Sequence, residues 1–438
     1  MKPTVNTPLS NEERRQPPRL TAKDRTRWWI IWTLLCSTAI NYINRQTLSV
    51  LAPVITKEFH LNHSQLSNIF SAFQVSYALT WLVGGVFLDV VGTRLGLSIG
   101  VIWWSIVSIV TSFANSVLSF GILRFLLGIG EGLNWPGASK AVAEYFPPEE
   151  RSTAVAIFDS GSSVGGAVAA IIIPWIALQF GWRWAFAFSG VLGFLWLALW
   201  LMVYPRRGSG AKQGQQNSLK LSDAKSWLPV LKLRETWGIV LGRSLTDPIW
   251  WFYVFWLPQY LSDTRGFSLK QIAIFAWIPF VAADAGNFAG GLTSGALVKR
   301  GVPVLRARKW ICIVSCIPLL AGIPAVLVAS PYSALAFICI ALFGFAAWST
   351  MGLTFPSDLF QPRVVGTVTG LSGLAAGLVS TLFTLLVGTL VDHFSYFPAF
   401  VLAATVPIVA TLCVVYLIPT AGRSRSSLIR SDSVPEQV

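Results

Sequence analysis

Twelve apolar stretches, each long enough to cross a bilayer as a helix, constrain this chain more than any other feature of its sequence. They cover about 28–54, 65–90, 94–114, 117–145, 152–178, 182–204, 236–262, 270–298, 307–329, 332–360, 363–391 and 396–418. A helix rises about 1.5 Å per residue and the hydrocarbon core is roughly 30 Å thick, so about 20 apolar residues suffice to span it. The expected fold is an all-α integral membrane protein with twelve transmembrane helices. Only 12% of residues are charged, against about 25% in soluble domains. The net charge of +14 would suit a nucleic-acid binder. Here, however, the basic residues sit in short segments between apolar runs, which points to membrane topology and to no nucleic-acid partner. The first span starts near Trp28 and lacks a small-residue cleavage site, so no cleavable signal is expected.

The one long polar insertion, 205–235, opens on Pro205-Arg206-Arg207 and is rich in Gly, Gln, Ser and Lys. It reads as a linker between a half at 28–204 and a half at 236–418, with disordered tails at 1–27 and 419–438. With the N-terminus inside, 25 Lys and Arg fall on the inner side and 4 on the outer. That asymmetry predicts both termini in the cytoplasm. The halves also repeat: Gly84-Gly85 before Asp89 parallels Gly290-Gly291, and Phe146, Pro148, Thr153, Phe180 and Phe186 parallel Phe360, Pro362, Thr367, Phe394 and Phe400. Six spans per half make these parallel repeats about an axis normal to the membrane, so the expected architecture is two pseudo-symmetric six-helix bundles. A substrate would bind near the midplane between them.

Charges inside the spans are the functional signal. The run RFLLGIGEGLNWPGASK (124–140) carries Arg124, Glu131 and Lys140 with Asn134, Trp135 and Pro136. A charge at the bilayer centre costs at least about 2.5–3.5 kcal/mol, so such groups face protein or a wet cavity. At helical spacing Arg124, Glu131 and Asn134 share a face. Two readings stay open: a buried Arg124–Glu131 pair that only holds helices together, or a titratable carboxylate in a transport cavity. In the first span Tyr42, Arg45 and Ser49 share a face, and the guanidinium fork of Arg45 matches a carboxylate. Its plain alternative is structural pairing with Glu131 or Asp159. Asp159 and Asp284 are further intramembrane acids, and Arg243 and Asp247 stand at i, i+4, most simply a structural ion pair.

Several segments carry a resemblance. NYINRQTLSVLAP (41–53), IFSAFQVSYAL (69–79), GEGLNWPGASK (130–140), FGWRWAFAFSG (180–190), FWLPQYL (255–261), KQIAIFAWIPFVAADAG (270–286) and TGLSGLAAGLVSTLFTLLVG (369–388) together resemble the anion:cation symporters of the major facilitator superfamily. Within these the chain is most similar to the bacterial hexuronate (glucuronate/galacturonate) transporters. GGVFLDVVGTR after span two is similar to the superfamily's first cytoplasmic loop motif. That likeness implies a cytoplasmic gate at Gly85, Asp89 and Arg94, although Val90 replaces the usual basic residue.

The resemblance assigns the substrate carboxylate to Arg45. It implies proton coupling at Glu131, with Asp159 and Asp284 as further candidates. The family usually has Asp-Arg where this chain has Asn44-Arg45, and Asn44 cannot titrate. Asp159 either restores that missing charge or serves packing. Gln74 and Tyr77 suit sugar hydroxyls, Trp251 or Trp256 a sugar face, and Tyr42, Asn134, Asn287 and Trp348 complete the expected substrate-binding set. Many of the 20 Trp sit near span ends, where anchoring at the membrane interface is the plain alternative.

Enzyme motifs fail on context. Gly161-Ser-Ser163-Val-Gly165 matches a nucleophile elbow but lies inside a helix-length span with no histidine near it, so its glycines read as helix packing. Gly128-Ile-Gly130-Glu-Gly132 follows no strand and departs from a dinucleotide loop. The five cysteines all fall in apolar spans and read as small hydrophobes, so neither metal nor cofactor is expected. The reading is a monomeric transporter of the bacterial inner membrane that imports hexuronates or related sugar-acid anions with protons. Alternatives are a carrier of aldonates, aldarates or aromatic acids, a weakly coupled facilitator, or a sensor or scaffold that no longer cycles.

Overall fold

The computed structural model describes residues 22–146, 148–205, 230–360 and 362–419. The expected linker at 206–229 and the tails at 1–21 and 420–438 lie outside the described residues. Within them the chain is helical: α1 (Ala22–Glu58), α2 (His63–Val91), α3 (Thr93–Thr111), α4 (Val117–Glu131), α5 (Asn134–Tyr145), α6 (Pro148–Phe180), α7 (Trp182–Val203), α8 (Arg234–Arg265), α9 (Leu269–Phe275), α10 (Ile278–Lys299), α11 (Val304–Leu319), α12 (Gly322–Leu327), α13 (Pro331–Leu359), α14 (Pro362–His393) and α15 (Phe397–Leu417). Three spans are broken in two: α4/α5, α9/α10 and α11/α12.

Helix punctuation explains these bounds. Asn62 caps α2 and exchanges bonds with Gln65, and Ser268 does the same for α9 with Gln271, satisfying amides the helix leaves open. Gly92 and Gly181 turn α2 into α3 and α6 into α7 at φ 87° and 91°, a region that favours glycine. Pro279 follows the α9/α10 break and Pro318 and Pro324 flank the α11/α12 break, where the missing N–H interrupts the ladder.

Two helix bounds depart from the sequence reading. Helix α1 starts at Ala22, inside the stretch expected as a tail, and α8 starts at Arg234, inside the expected linker. Apolar content marks where a helix enters lipid, not where it begins. Among the described residues nine rods, or ten with α2 and its 49° bend, are long and apolar enough to cross a membrane. Helices α1 and α8 fall short because they carry the polar residues that matter below.

The two halves pack alike. In the first, α1 lies on α6 and α7, α2 on α4, and α3 on α7; in the second, α8 lies on α14 and α15, α10 on α13, and α11 on α15. Between halves, α2 crosses α14 and α6 crosses α9 and α10, while α1 meets α8. Glycine permits the closest approaches: a Cβ at Gly161 would lie 2.5 Å from the Leu35 carbonyl oxygen on α1. The nucleophile-elbow lookalike is therefore a helix-packing seam. Large apolar side chains such as Leu118, Leu195 and Met202 cover the outside, as a lipid-facing surface requires.

Candidate functional site

Polar residues at mid-span converge where α1 meets α4 and α8. Arg45 donates from Nε and Nη2 to one oxygen of Glu131, each at 3.2 Å, and from Nη2 to Asn41 Oδ1 at 3.0 Å. Both charged side chains are sealed, at 1% and 0% exposure. The second Glu131 oxygen has no partner. Four rings surround the guanidinium, with Tyr42 and Tyr77 at 4.6 Å and Phe73 and Trp251 at 5.1 Å. A cation lies well against ring faces, so this cage holds Arg45 extended toward the second half, from which Trp251 comes. Trp250 of that half also donates to the Tyr42 hydroxyl at 3.3 Å.

Arg124 is not in the ion pair expected of it. Its Nη1 reaches the Arg45 carbonyl oxygen at 3.4 Å, while Nε and Nη2 have no partner. Spacing along one helix put Arg124 beside Glu131, but the tighter pair forms between helices. The buried cluster thus holds two guanidinium groups and one carboxylate. An uncompensated buried cation is expensive, and the group that would relieve it is an anion.

The other expected residues divide into three sets. Gln74 joins the cluster's surroundings, being 2% exposed with neither amide atom bonded. Half-buried polar groups line both walls: Asp284 accepts from Ser163 Oγ across the halves at 2.6 Å, Asp159 accepts from Trp135 Nε1 within the first half at 3.2 Å, and Asn287 accepts from Thr350 within the second at 3.0 Å. Asn44 instead bonds Ser108 and Ile40 inside the first half, so Asp159 shares no partner with it. The third set packs within the protein. Asn134 ties α5 to Ser37 and Thr38 of α1, and Trp348 donates to Thr411 in the interior of the second half. Trp256 lies against Phe70 and His63. For these three, residue type alone did not distinguish a cavity wall from a helix seam.

At the linker end, ion pairs stay within a half. Asp89 meets Lys140 at 2.5 Å, Arg94 donates to the Leu201 carbonyl oxygen at 2.6 Å, and Arg308 pairs with Asp358. Gly85 has open space where a Cβ would be, and it is Gly84 that Leu133 approaches, at 3.0 Å. Arg243 and Asp247 form the expected i, i+4 pair at 2.8 Å. Side-chain bonds between the halves run from mid-span to the opposite end, through Ser163–Asp284, Tyr42–Trp250, Thr56–Gln259 and a His63–Asp263–Asp392 network. Phe70 stacks on Phe255 at 4.6 Å between that network and Arg45. The far end is shut.

Two cavities fit this state. A groove of about 420 Å³ opens at the far surface beside Lys57 and Phe267, away from the Arg45 cluster. A sealed gap of about 10 Å³ lies between the halves at Gln46 and Tyr253, room for about one water. Sequence reasoning missed Phe73 in the cage, which only tertiary contact reveals. It also missed His63, Asp263 and Asp392, which lie far apart in sequence beyond the span ends.

Comparison with known proteins agrees with the fold. The Major Facilitator Superfamily profile matches residues 34–384. The hexuronate transporter of Escherichia coli is 33% identical over 402 residues, covering 89% of this chain and 93% of the relative. The galacturonate transporter of Dickeya chrysanthemi is 32% identical over 324 residues, covering 71% and 94%. Among solved structures, the D-xylose-proton symporter superposes with a TM-score of 0.73 at 16% identity, covering 90% and 98%.

Proposed function

The chain belongs to the Major Facilitator Superfamily, and from that premise we propose that it imports hexuronates or closely related sugar-acid anions by alternating access, driven by protons. The observation that carries this reading is the buried cluster of two guanidinium groups and one carboxylate. It lies in the first half with Trp251 of the second against Arg45, and has a net positive charge that an anion would balance. In the proposed orientation both termini and the linker are cytoplasmic in the bacterial inner membrane, and the shut end faces outward. The protein acts as a monomer.

The mechanism is an exchange of partners at Arg45. A sugar-acid carboxylate takes the two guanidinium donors that Glu131 Oε2 now occupies, as a two-point contact. Glu131, deprived of its cation in a dry interior, is then held as the neutral acid. Substrate and proton thereby stabilise each other's binding, and that mutual dependence is symport. Gln74, Tyr42 and Tyr77 offer hydrogen bonds to the hydroxyls, and Trp251 a face for the C–H side of the ring. Asp159 and Asp284 stand on the two walls nearer the cytoplasm, placed to pass the proton onward.

Purified protein in proteoliposomes tests this reading. Labelled glucuronate uptake should saturate, show counterflow and accumulate only with an inward pH gradient. Galacturonate should compete well, and galactonate, glucarate and phthalate progressively less. Absence of both saturation and counterflow would overturn the transport reading, and accumulation unaffected by the gradient would overturn proton coupling.

A further inference from the structure

Alternating access requires an outer gate, and on the transport reading we propose that His63, Asp263 and Asp392 latch it. The latch closes when the His63 ring is protonated, and the seam between α2 and α14 beneath it is the path that opens. The two imidazole nitrogens face two carboxylates of the other half: Nε2 is 2.9 Å from Asp263 Oδ2 on α8, and Nδ1 is 2.9 Å from Asp392 Oδ1 on α14. A neutral imidazole has one N–H, so two hydrogen bonds to two carboxylates need the doubly protonated ring. Asp392 also accepts the backbone N–H groups of His63 and Ser64, at 2.9 and 2.8 Å, and the Ser64 hydroxyl. It therefore binds the N-terminal turn of α2 from across the interface, where a carboxylate is favoured. Gln259 and the Tyr396 hydroxyl hold Asp263 in place at 2.9 Å each.

The groups facing His63 are one-sided in charge. Helix α8 brings Asp263, α14 brings Asp392, and the turn after α14 brings the Tyr396 hydroxyl. Arg265, the nearest cation in sequence to Asp263, is turned to Tyr260 and to the carbonyl oxygens of Ala325 and Val328. Loss of the ring proton thus removes a hydrogen bond and leaves two carboxylates beside a neutral imidazole. The latch holds at low pH and releases as pH rises through the ring's titration.

Beneath the latch, the seam is built to part. Helices α2 and α14 run antiparallel, with Gly388 against Ser67 and Gly377 against Ala78, where a Cβ on Gly377 would lie 2.9 Å from that of Ala78. In that register Ser71 stands level with Thr384, and Gln74 with Ser380 and Thr381. Ser71 Oγ, both Gln74 amide atoms, Ser380 Oγ and Thr384 Oγ1 are all buried without a partner. A permanent seam would be apolar or internally bonded. Unpaired amide and hydroxyl groups suit a wall that meets water and sugar hydroxyls in the other state. A proton taken up on the outside therefore favours closure of the outer gate over a loaded site.

The test is thiol accessibility, read without any transport assay. Thr384→Cys is treated with a membrane-impermeant maleimide from the outer face, with the parent's five cysteines as baseline. Rates are normalised to Asn115→Cys on the exposed far-end loop, which cancels the reagent's own pH dependence. With His63 present, normalised labelling should rise several-fold from pH 6 to pH 8. With His63→Ala it should be fast at both, and with His63→Arg slow at both. An unfolding temperature in detergent matching the parent's certifies that a variant is folded, and His63→Gln substitutes for His63→Ala if the latter is not. Equal labelling with and without His63, or a pH response that survives its removal, would overturn the latch while leaving the transport reading intact.

Discussion

Replacing Glu131 by Gln separates competition from coupling in one substitution. In the resting site Glu131 Oε2 occupies both Arg45 donors at 3.2 Å, so an incoming carboxylate must displace it. A hydrogen bond to a charged group is worth about 1.5–3 kcal/mol net. Relieving the competition of even one such bond should tighten anion binding roughly tenfold to a hundredfold. Leaving Arg45 without its carboxylate costs about 3–5 kcal/mol of stability, much of which a bound anion should restore. Glu131→Gln should therefore be less stable when empty, bind the sugar acid more tightly above neutral pH, and lose the pH dependence of its affinity. Counterflow in proteoliposomes at a series of pH values measures this directly. Exchange should persist while accumulation driven by a pH gradient vanishes. Weaker binding in the variant, or a pH dependence matching the parent's, would refute the partner-exchange mechanism.

Three further outcomes follow from the same geometry. Arg45→Lys keeps the charge but loses the fork and should raise the half-saturating substrate concentration about tenfold or more, with a smaller effect on maximal rate, measured by initial uptake. Trp348→Phe removes the bond to Thr411 and should cost about 1 kcal/mol of stability with substrate affinity unchanged, checked by thermal unfolding beside a binding curve. Gly161→Val places a side chain against the Leu35 carbonyl oxygen on α1 and should destabilise by about 1–3 kcal/mol, read as a lower unfolding temperature in detergent.

The fold was largely legible because lipid leaves the backbone few choices. Twelve apolar runs, the repeat of Gly84-Gly85 in Gly290-Gly291 and one polar insertion define two bundles before any contact is known. Helix breaks were partly legible: prolines mark the interruption at 320–321, and at the one before Asn134 Pro136 has no N–H to give the Gly132 carbonyl. In the site, Arg45 and Glu131 declared themselves because charge in an apolar span needs a reason. Their partnership did not, since periodicity relates residues on one helix and made Arg124 the nearer candidate. Trp256 and Trp348 show the same limit, because an aromatic residue satisfies a cavity wall and a buried seam equally well. His63 lies outside the spans, where ordinary polarity hides a contact to residues 200 and 329 positions away.

The central claim is that substrate and proton load as a pair around Arg45 and Glu131. Calorimetric titration of glucuronate into the detergent-solubilised protein, repeated in buffers of different ionisation enthalpy, counts protons bound with each anion. The account predicts uptake of about one proton per substrate near neutral pH in the parent, and none in Glu131→Gln. Binding without proton uptake in the parent, or the same uptake in both proteins, would contradict it.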